Sequence, residues 1–532
     1  MKTSTRLLAG AACLVALLLP ALGLAAAAPD DAAPDHSKFA ALQQNFDSGP
    51  AVTRACLTCH TQAAKEIEKT LHWRWEYVNP DTGQKLGKRH VVNNFCTSAV
   101  SNFDSCATCH VGYGMKQGFD FTADQNVDCL VCHDTTGKYR KEPGLAGNVV
   151  TKDMELPPGS GRIVKAIDLK SIAQRVGKTS RTTCGNCHFN GGGGDGVKHG
   201  DLDSSLESPE KALDVHMNAD GANFTCATCH RTSGHQVPGS RYALTAQDKG
   251  DARMRGKVDT SNPATCQSCH GQTPHKHESA SALNGHTSRV ACQTCHIPGF
   301  ARGGIPTKMK WDWSTAGKRG ADGKPLVEKN KEGHVVYAGI KGNFEYAENV
   351  VPEYMWINGR VKYTLPGEKM DDSHGPVAIN RFEGSPDDGK SMIWPMKVFR
   401  GKQAYDPVTK SLAVTHLAGN DDSAFWTNLN WDKAVATGMA AAGLPFSGKV
   451  GFIETYSMWP ITHMVGPKAS ALKCDQCHAS GGRLEQVAGV YMPGRGRDHL
   501  GLLEIAGWAL AALTLAGVLG HGAARFAFRR GN

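Results

Sequence analysis

Outside one recurring pattern this sequence has almost no cysteine. Sixteen of its 18 cysteines fall in eight copies of Cys-x-x-Cys-His, and only Cys13 and Cys96 are left over. No pair remains for a structural disulfide, which excludes the framework usual for a cysteine-rich exported protein. Apolar residues are also few, at 40% of 532 positions, while glycine (60) and proline (25) are plentiful. A conventional side-chain core is therefore thin. A fixed period is missing too: the first seven copies start 50, 23, 55, 42, 40 and 26 residues apart, which excludes a solenoid of equal repeats. Long apolar runs occur only at the two ends, Leu7 to Leu24 and Leu500 to Gly520.

The pattern itself is the strongest signal. Its copies are Cys56, Cys59, His60; Cys106, Cys109, His110; Cys129, Cys132, His133; and Cys184, Cys187, His188. They continue with Cys226, Cys229, His230; Cys266, Cys269, His270; Cys292, Cys295, His296; and Cys474, Cys477, His478. Each is the attachment signal for a c-type haem, with two thioether bonds to the porphyrin and a proximal imidazole for the iron. Zinc ribbons and thioredoxin-like pairs have no need of a histidine after every second cysteine. Eight covalently bound haems are expected, and their apolar discs replace the missing core. The expected fold is mainly α with extensive loops, wrapped around the haems, and the apoprotein should not fold. Helices are expected over Gln62–Trp75 and Trp431–Ala442.

The ends set the compartment. Lys2 and Arg6, the apolar run and Ala25 to Ala28 make a secretory signal peptide over 1–28. The 21-residue run from Leu500 carries one charge, Glu504, and is followed by Arg525, Arg529 and Arg530. As a helix it would span about 31 Å, enough for a transmembrane anchor with a cytoplasmic C-terminus. The haem-bearing part is then periplasmic. Between the ends, 29–300 holds seven motifs and opens with a loosely draped Ala- and Pro-rich arm. Residues 301–470 hold none and are rich in Trp, Tyr and Phe, which suggests a wrapping excursion. Residues 471–498 carry the eighth motif, and 499–532 the anchor and a short basic tail. The net charge of +9 does not argue for nucleic acid. Loss of the leader and about sixteen propionates would take the holoprotein to about −9, so the basic residues read as propionate partners.

Twenty-three histidines, eight of them in the motifs, leave fifteen for the distal side. His36, His499 and His521 lie in the arm or at the membrane ends and are set aside. The preferred distal ligands are His72, His90, His216, His235, His277, His286 and His463. His275 competes with His277, and His199, His334, His374 and His416 stay open. After the fourth motif comes Gly191-Gly-Gly-Gly194-Asp195-Gly-Val-Lys198-His199-Gly-Asp201. No strand precedes it, so a dinucleotide-binding reading fails. Such a glycine run suits backbone passing close to a porphyrin or a substrate.

The run ending in Val197-Lys-His-Gly-Asp-Leu-Asp203, the Trp459-Pro-Ile-Thr-His-Met-Val465 segment before the last motif, the eight-motif layout and the odd cysteine resemble the octahaem tetrathionate reductase family. The resemblance covers nearly all of the haem-bearing chain. It implies that the second motif's haem takes a lysine as distal ligand while the other seven are bis-histidine. Carried over, the active haem is at Cys106, Cys109 and His110, with Lys198 as its distal ligand. Cys96 would lie beside it, with Asp195 and Lys276 as neighbouring polar groups. A neutral amine binds iron but is more easily displaced or protonated than imidazole, and once displaced remains a cation beside the site. The implied activity is reduction of a small anionic sulfur or nitrogen species such as tetrathionate, nitrite or hydroxylamine. Electrons would come from a quinol-oxidising membrane partner, although an anchor is not expected throughout the family. A non-catalytic electron conduit is the alternative. Hydroxylamine oxidation is a third reading, for which no crosslinking tyrosine can be identified.

Overall fold

The computed structural model describes residues 34–254, 264–277, 279–490 and 501–529. The signal peptide, Cys13, His499 and Arg530 lie outside the described residues.

The motif-bearing half is built of short helical turns. Both thiols of a Cys-x-x-Cys pair are three residues apart, so one turn places them on one side with the histidine following. Such turns are Leu130–His133, Arg181–His188, Cys226–Cys229, Gln267–His270 and Cys292–His296. The longest of them is fixed by a capping box in which Ser180 and Thr183 bond each other's backbone N–H. The expected helix over Gln62–Trp75 is two pieces, Ala63–Ile67 and Leu71–Arg74. Thr70 caps the second, accepting from the Trp73 N–H, and left-handed Trp75 ends it. The arm is not loose from Pro34 onward: Leu42 is buried among Val52, Leu169 and Ile172.

The motif-free stretch corrects the expectation of a mainly α chain. It forms a nine-stranded sheet of β1 Thr307–Asp312, β2 Val327–Lys329, β3 Val335–Ala338, β4 Gly342–Ala347 and β5 Glu353–Ile357. Its second half is β6 Val377–Ala378, β7 Met392–Asp406, β8 Ser411–Leu412 and β9 Gly451–Pro460. The strand order is β6-β9-β7-β1-β4-β3-β2, with β5 and β8 also paired to β7. The reason is side-chain period. In β9, Thr455, Ser457 and Trp459 are buried in alternation, the strand pattern, and the first eight residues of β7 are Met, Ile, Trp, Val and Phe apart from Pro395 and Lys397. Here a side-chain core does exist: Phe95, Trp311, Trp313, Phe399, Phe425 and Trp459 pack together. The Trp431–Ala441 helix matches its expectation and closes one side of the sheet.

The C-terminal helix, Gly501–Phe528, is long and apolar enough to cross a membrane and buries none of its surface on the rest of the chain. At ~1.5 Å per residue its length exceeds a bilayer's ~30 Å hydrocarbon core.

Candidate functional site: paired imidazoles and one exception

A cavity of about 3080 Å³ with mostly apolar walls runs through the motif-bearing half and is lined by residues of the first seven motifs. That volume is several times the ~300–1,000 Å³ of an ordinary ligand pocket.

Seven of the eight motif histidines stand opposite another histidine at a nearly constant spacing. Ring centres are 6.4 Å apart for His60 and His36, 6.5 Å for His133 and His235, and 6.1 Å for His188 and His72. They are 6.3 Å apart for His230 and His463, 6.1 Å for His270 and His216, 6.3 Å for His296 and His275, and 6.0 Å for His478 and His286. Two imidazoles sharing one metal at ~2 Å per bond have ring centres about 6 Å apart. The outer nitrogens fit the same reading. His133 and His230 donate through Nδ1 to the carbonyls of Gly177 and Pro238, 2.8 Å each. His235 Nδ1 lies 2.7 Å from Glu66, and His463 Nδ1 3.2 Å from Asp201. Bonds of this kind fix the ring and leave the other nitrogen for the metal. Among the described residues no three His, Cys, Asp or Glu side chains converge as a metal site. A haem iron asks for only two axial ligands, so paired rings in an apolar cavity fit haem.

The pairing departs from the preferred list in three places. His36 stands opposite His60, and His275 rather than His277 faces His296. His90 is bonded to Glu76 at 2.6 Å instead. His416 lies between the Ser101 carbonyl and Asp421, His334 stacks near Tyr346, and His374 is exposed.

His110 is the exception. Among the described residues no imidazole faces it; Trp73, Trp75, Phe119 and Phe121 surround its ring at 5.0 to 6.4 Å. It is fully buried, Nε2 is 2.7 Å from the Trp73 carbonyl, and Nδ1 has no hydrogen-bond partner. The nearby cavity wall is cationic. Lys198 lines it with its Nζ 4.7 Å over the Trp459 ring, and Arg241 lies 4.4 Å over the same ring. Burial, then Arg241 and Lys88, hold the Lys198 amine well below the ordinary lysine range, while Cys109 of the second motif opposes them. His199 is in the same wall, 5.3 Å from Trp459.

Cys96 lines the cavity and sits close enough to Cys106 to perturb it. Burial raises its thiol, against the pull of Lys341 and Lys308. Asp195 is held by its own loop, accepting from the Ser204 N–H at 2.9 Å. Lys276 is exposed beside His275, with the seventh motif's pair rather than with His110. Lys88, Arg241 and Trp459 are additions the sequence did not suggest; cations are spread along the whole chain, and only the fold selects these two.

The motif thiols also give the order in which the motifs meet. Cys56 lies beside Cys129, Cys184 beside Cys226, and Cys266 beside Cys292. Cys132 acts on Cys184, Cys229 on Cys266, and Cys477 on Cys295. The motifs thus follow one another as first, third, fourth, fifth, sixth, seventh, eighth. The second joins from the side, Cys109 to Cys187 of the fourth.

Residues 308–481 match the family described as bacterial cytochrome c, and residues 55–134 match cytochrome c554 and c-prime. No curated protein matches this chain. An octaheme cytochrome c from Shewanella oneidensis is similar over 88% of this chain and 98% of its own, with 38% identity and a TM-score of 0.74. The chain carries covalently bound c-type haem and belongs to the octahaem c-type cytochromes.

Proposed function

We propose that this is a periplasmic octahaem reductase of the tetrathionate reductase type, one haem at each motif, anchored in the inner membrane by Gly501–Phe528. The observation that carries it is the unequal treatment of the motif histidines: seven stand opposite an imidazole and His110 does not, while Lys198 lies close enough to Cys109 of the same motif to act on its thiol. Bound at these motifs, haem supplies one-electron redox steps and, where a distal position can open, a place for substrate on iron. The chain does the rest. The paired imidazoles would hold the iron at seven motifs, and Lys198 would be the displaceable ligand at the second. Arg241 and Lys88 favour a small anion there, and the released Lys198 ammonium can hold it or give it a proton. Cys96 stands by as a thiol. The substrate is a small oxidised sulfur or nitrogen species: tetrathionate, nitrite or hydroxylamine. A quinol-oxidising membrane partner supplies electrons. A pure conduit is the rival reading, and His199, adjacent to Lys198, is the imidazole it would need.

EPR of the oxidised holoprotein tests this. One iron is expected to differ from seven bis-histidine irons, and reduced viologen should be consumed with at least one of the three substrates. Eight alike irons and no turnover would leave only the conduit. The ring pairs carry their own check. His36→Ala should convert one bis-histidine iron to a high-spin or water-bound one, while His90→Ala leaves the spectrum as it was; the opposite result would restore His90 and remove His36.

A further inference from the structure

Lys397 is a fully buried lysine that the reading above does not use. It lies in β7, and its Nζ donates to the Val197 carbonyl at 2.8 Å, to the Lys198 carbonyl at 3.0 Å and to Thr307 Oγ1. Thr307, in β1, donates in turn to the Gly196 carbonyl at 2.7 Å. Two sheet residues therefore hold three successive carbonyls of one loop, Lys397 from 200 and Thr307 from 111 positions away in the chain. Directly across from Lys397 in the β7–β9 ladder is Trp459, the ring beneath the Lys198 amine. One cross-strand pair thus grips Lys198 at both ends, its backbone by Lys397 and its side-chain tip by Trp459. The loop's own supports are Asp195 and the buried Val197; Gly196 and Gly200 take positive φ, 65° and 78°, and the glycines carry no side chain to pack, so the sheet supplies the rest.

We propose that Lys397 is the positioning residue for Lys198, holding the loop so that the amine can exchange between iron and the Trp459 face without the backbone following. The inference rests on Lys198 being the distal ligand. Burying a lysine in a sheet is unfavourable unless its N–H groups are bonded, and here the carbonyls of the site loop bond them. Loss of these buried hydrogen bonds should shift the lysine-bound to displaced ratio by about tenfold.

The test compares four variants of the haem-loaded protein by EPR, with haem content and melting temperature alongside. Lys198→Ala should remove the minority lysine–histidine iron signal. Lys397→Met should lower that signal about tenfold in favour of a high-spin one, with the seven bis-histidine signals intact. Thr307→Val removes one arm of the clamp and should give the same change in smaller degree, so it carries the test if Lys397→Met yields no holoprotein. Asn380→Ala also removes a buried polar group, bonded to Met458 beside Trp459, without touching the loop, and should leave the signal in place. An unchanged signal in folded Lys397→Met, or in Thr307→Val when that is the variant available, overturns the positioning role. An unchanged signal in Lys198→Ala overturns the ligand assignment itself, so the two failures are separable.

Discussion

Lys198→Ala is expected to reduce turnover by about a hundredfold or more while leaving haem content and the bis-histidine spectra unchanged. Three features of the fold concentrate that effect on one side chain. It lies near Cys109 of the second motif, where His110 has aromatic rings instead of an opposing imidazole. Burial, Arg241 and Lys88 hold its amine well below the ordinary lysine range, which favours the neutral form that binds a metal. It also stands over Trp459, a π-face that can receive the ammonium once a substrate takes its place. Steady-state assays with reduced viologen, beside pyridine haemochrome quantitation, give both numbers at once. A rate within about twofold of the parent would remove Lys198 from the chemistry.

Haem attachment should be the condition for folding at all. The chain retained in the cytoplasm, with its leader deleted and no thioether bonds made, is expected to show no cooperative melt and to be digested rapidly by protease. The cavity explains the size of the effect. Without haem, the mostly apolar walls of a cavity of about 3080 Å³ are left against water, and the net stability of such a chain is only about 5–15 kcal/mol. The sheet does not escape this, because its core borrows Phe95, Val92 and Leu86 from the motif-bearing half. Circular dichroism and limited proteolysis would decide; a sharp transition in the haem-free chain would contradict it.

What could be read from sequence was what is encoded locally. Each Cys-x-x-Cys-His declares its own chemistry within five residues, and the Trp431–Ala441 helix has its period and its Asn430 cap side by side. The imidazoles that stand opposite the motif histidines have no such signature. His36 comes from a stretch whose alanine and proline content suggested a loose arm, and His463 arrives from the far end of the sheet. The sheet was missed because its aromatics were counted rather than placed. Thr455, Ser457 and Trp459 alternate correctly for a strand, yet two of the three are polar and do not stand out in a hydrophobicity count. Lys397 was invisible for a different reason: a lysine is expected at the surface until its hydrogen-bond partners are known.

The side attachment of the second motif has a consequence for traffic. A line from first to eighth motif is complete without it, since the third meets the fourth directly. The second is a siding off the fourth. If the chain is the reductase proposed above, disabling it should leave the main line conducting from end to end, a dead enzyme that is still a working wire. On that reading an electron that reaches the siding has two exits, back to the junction or into the substrate.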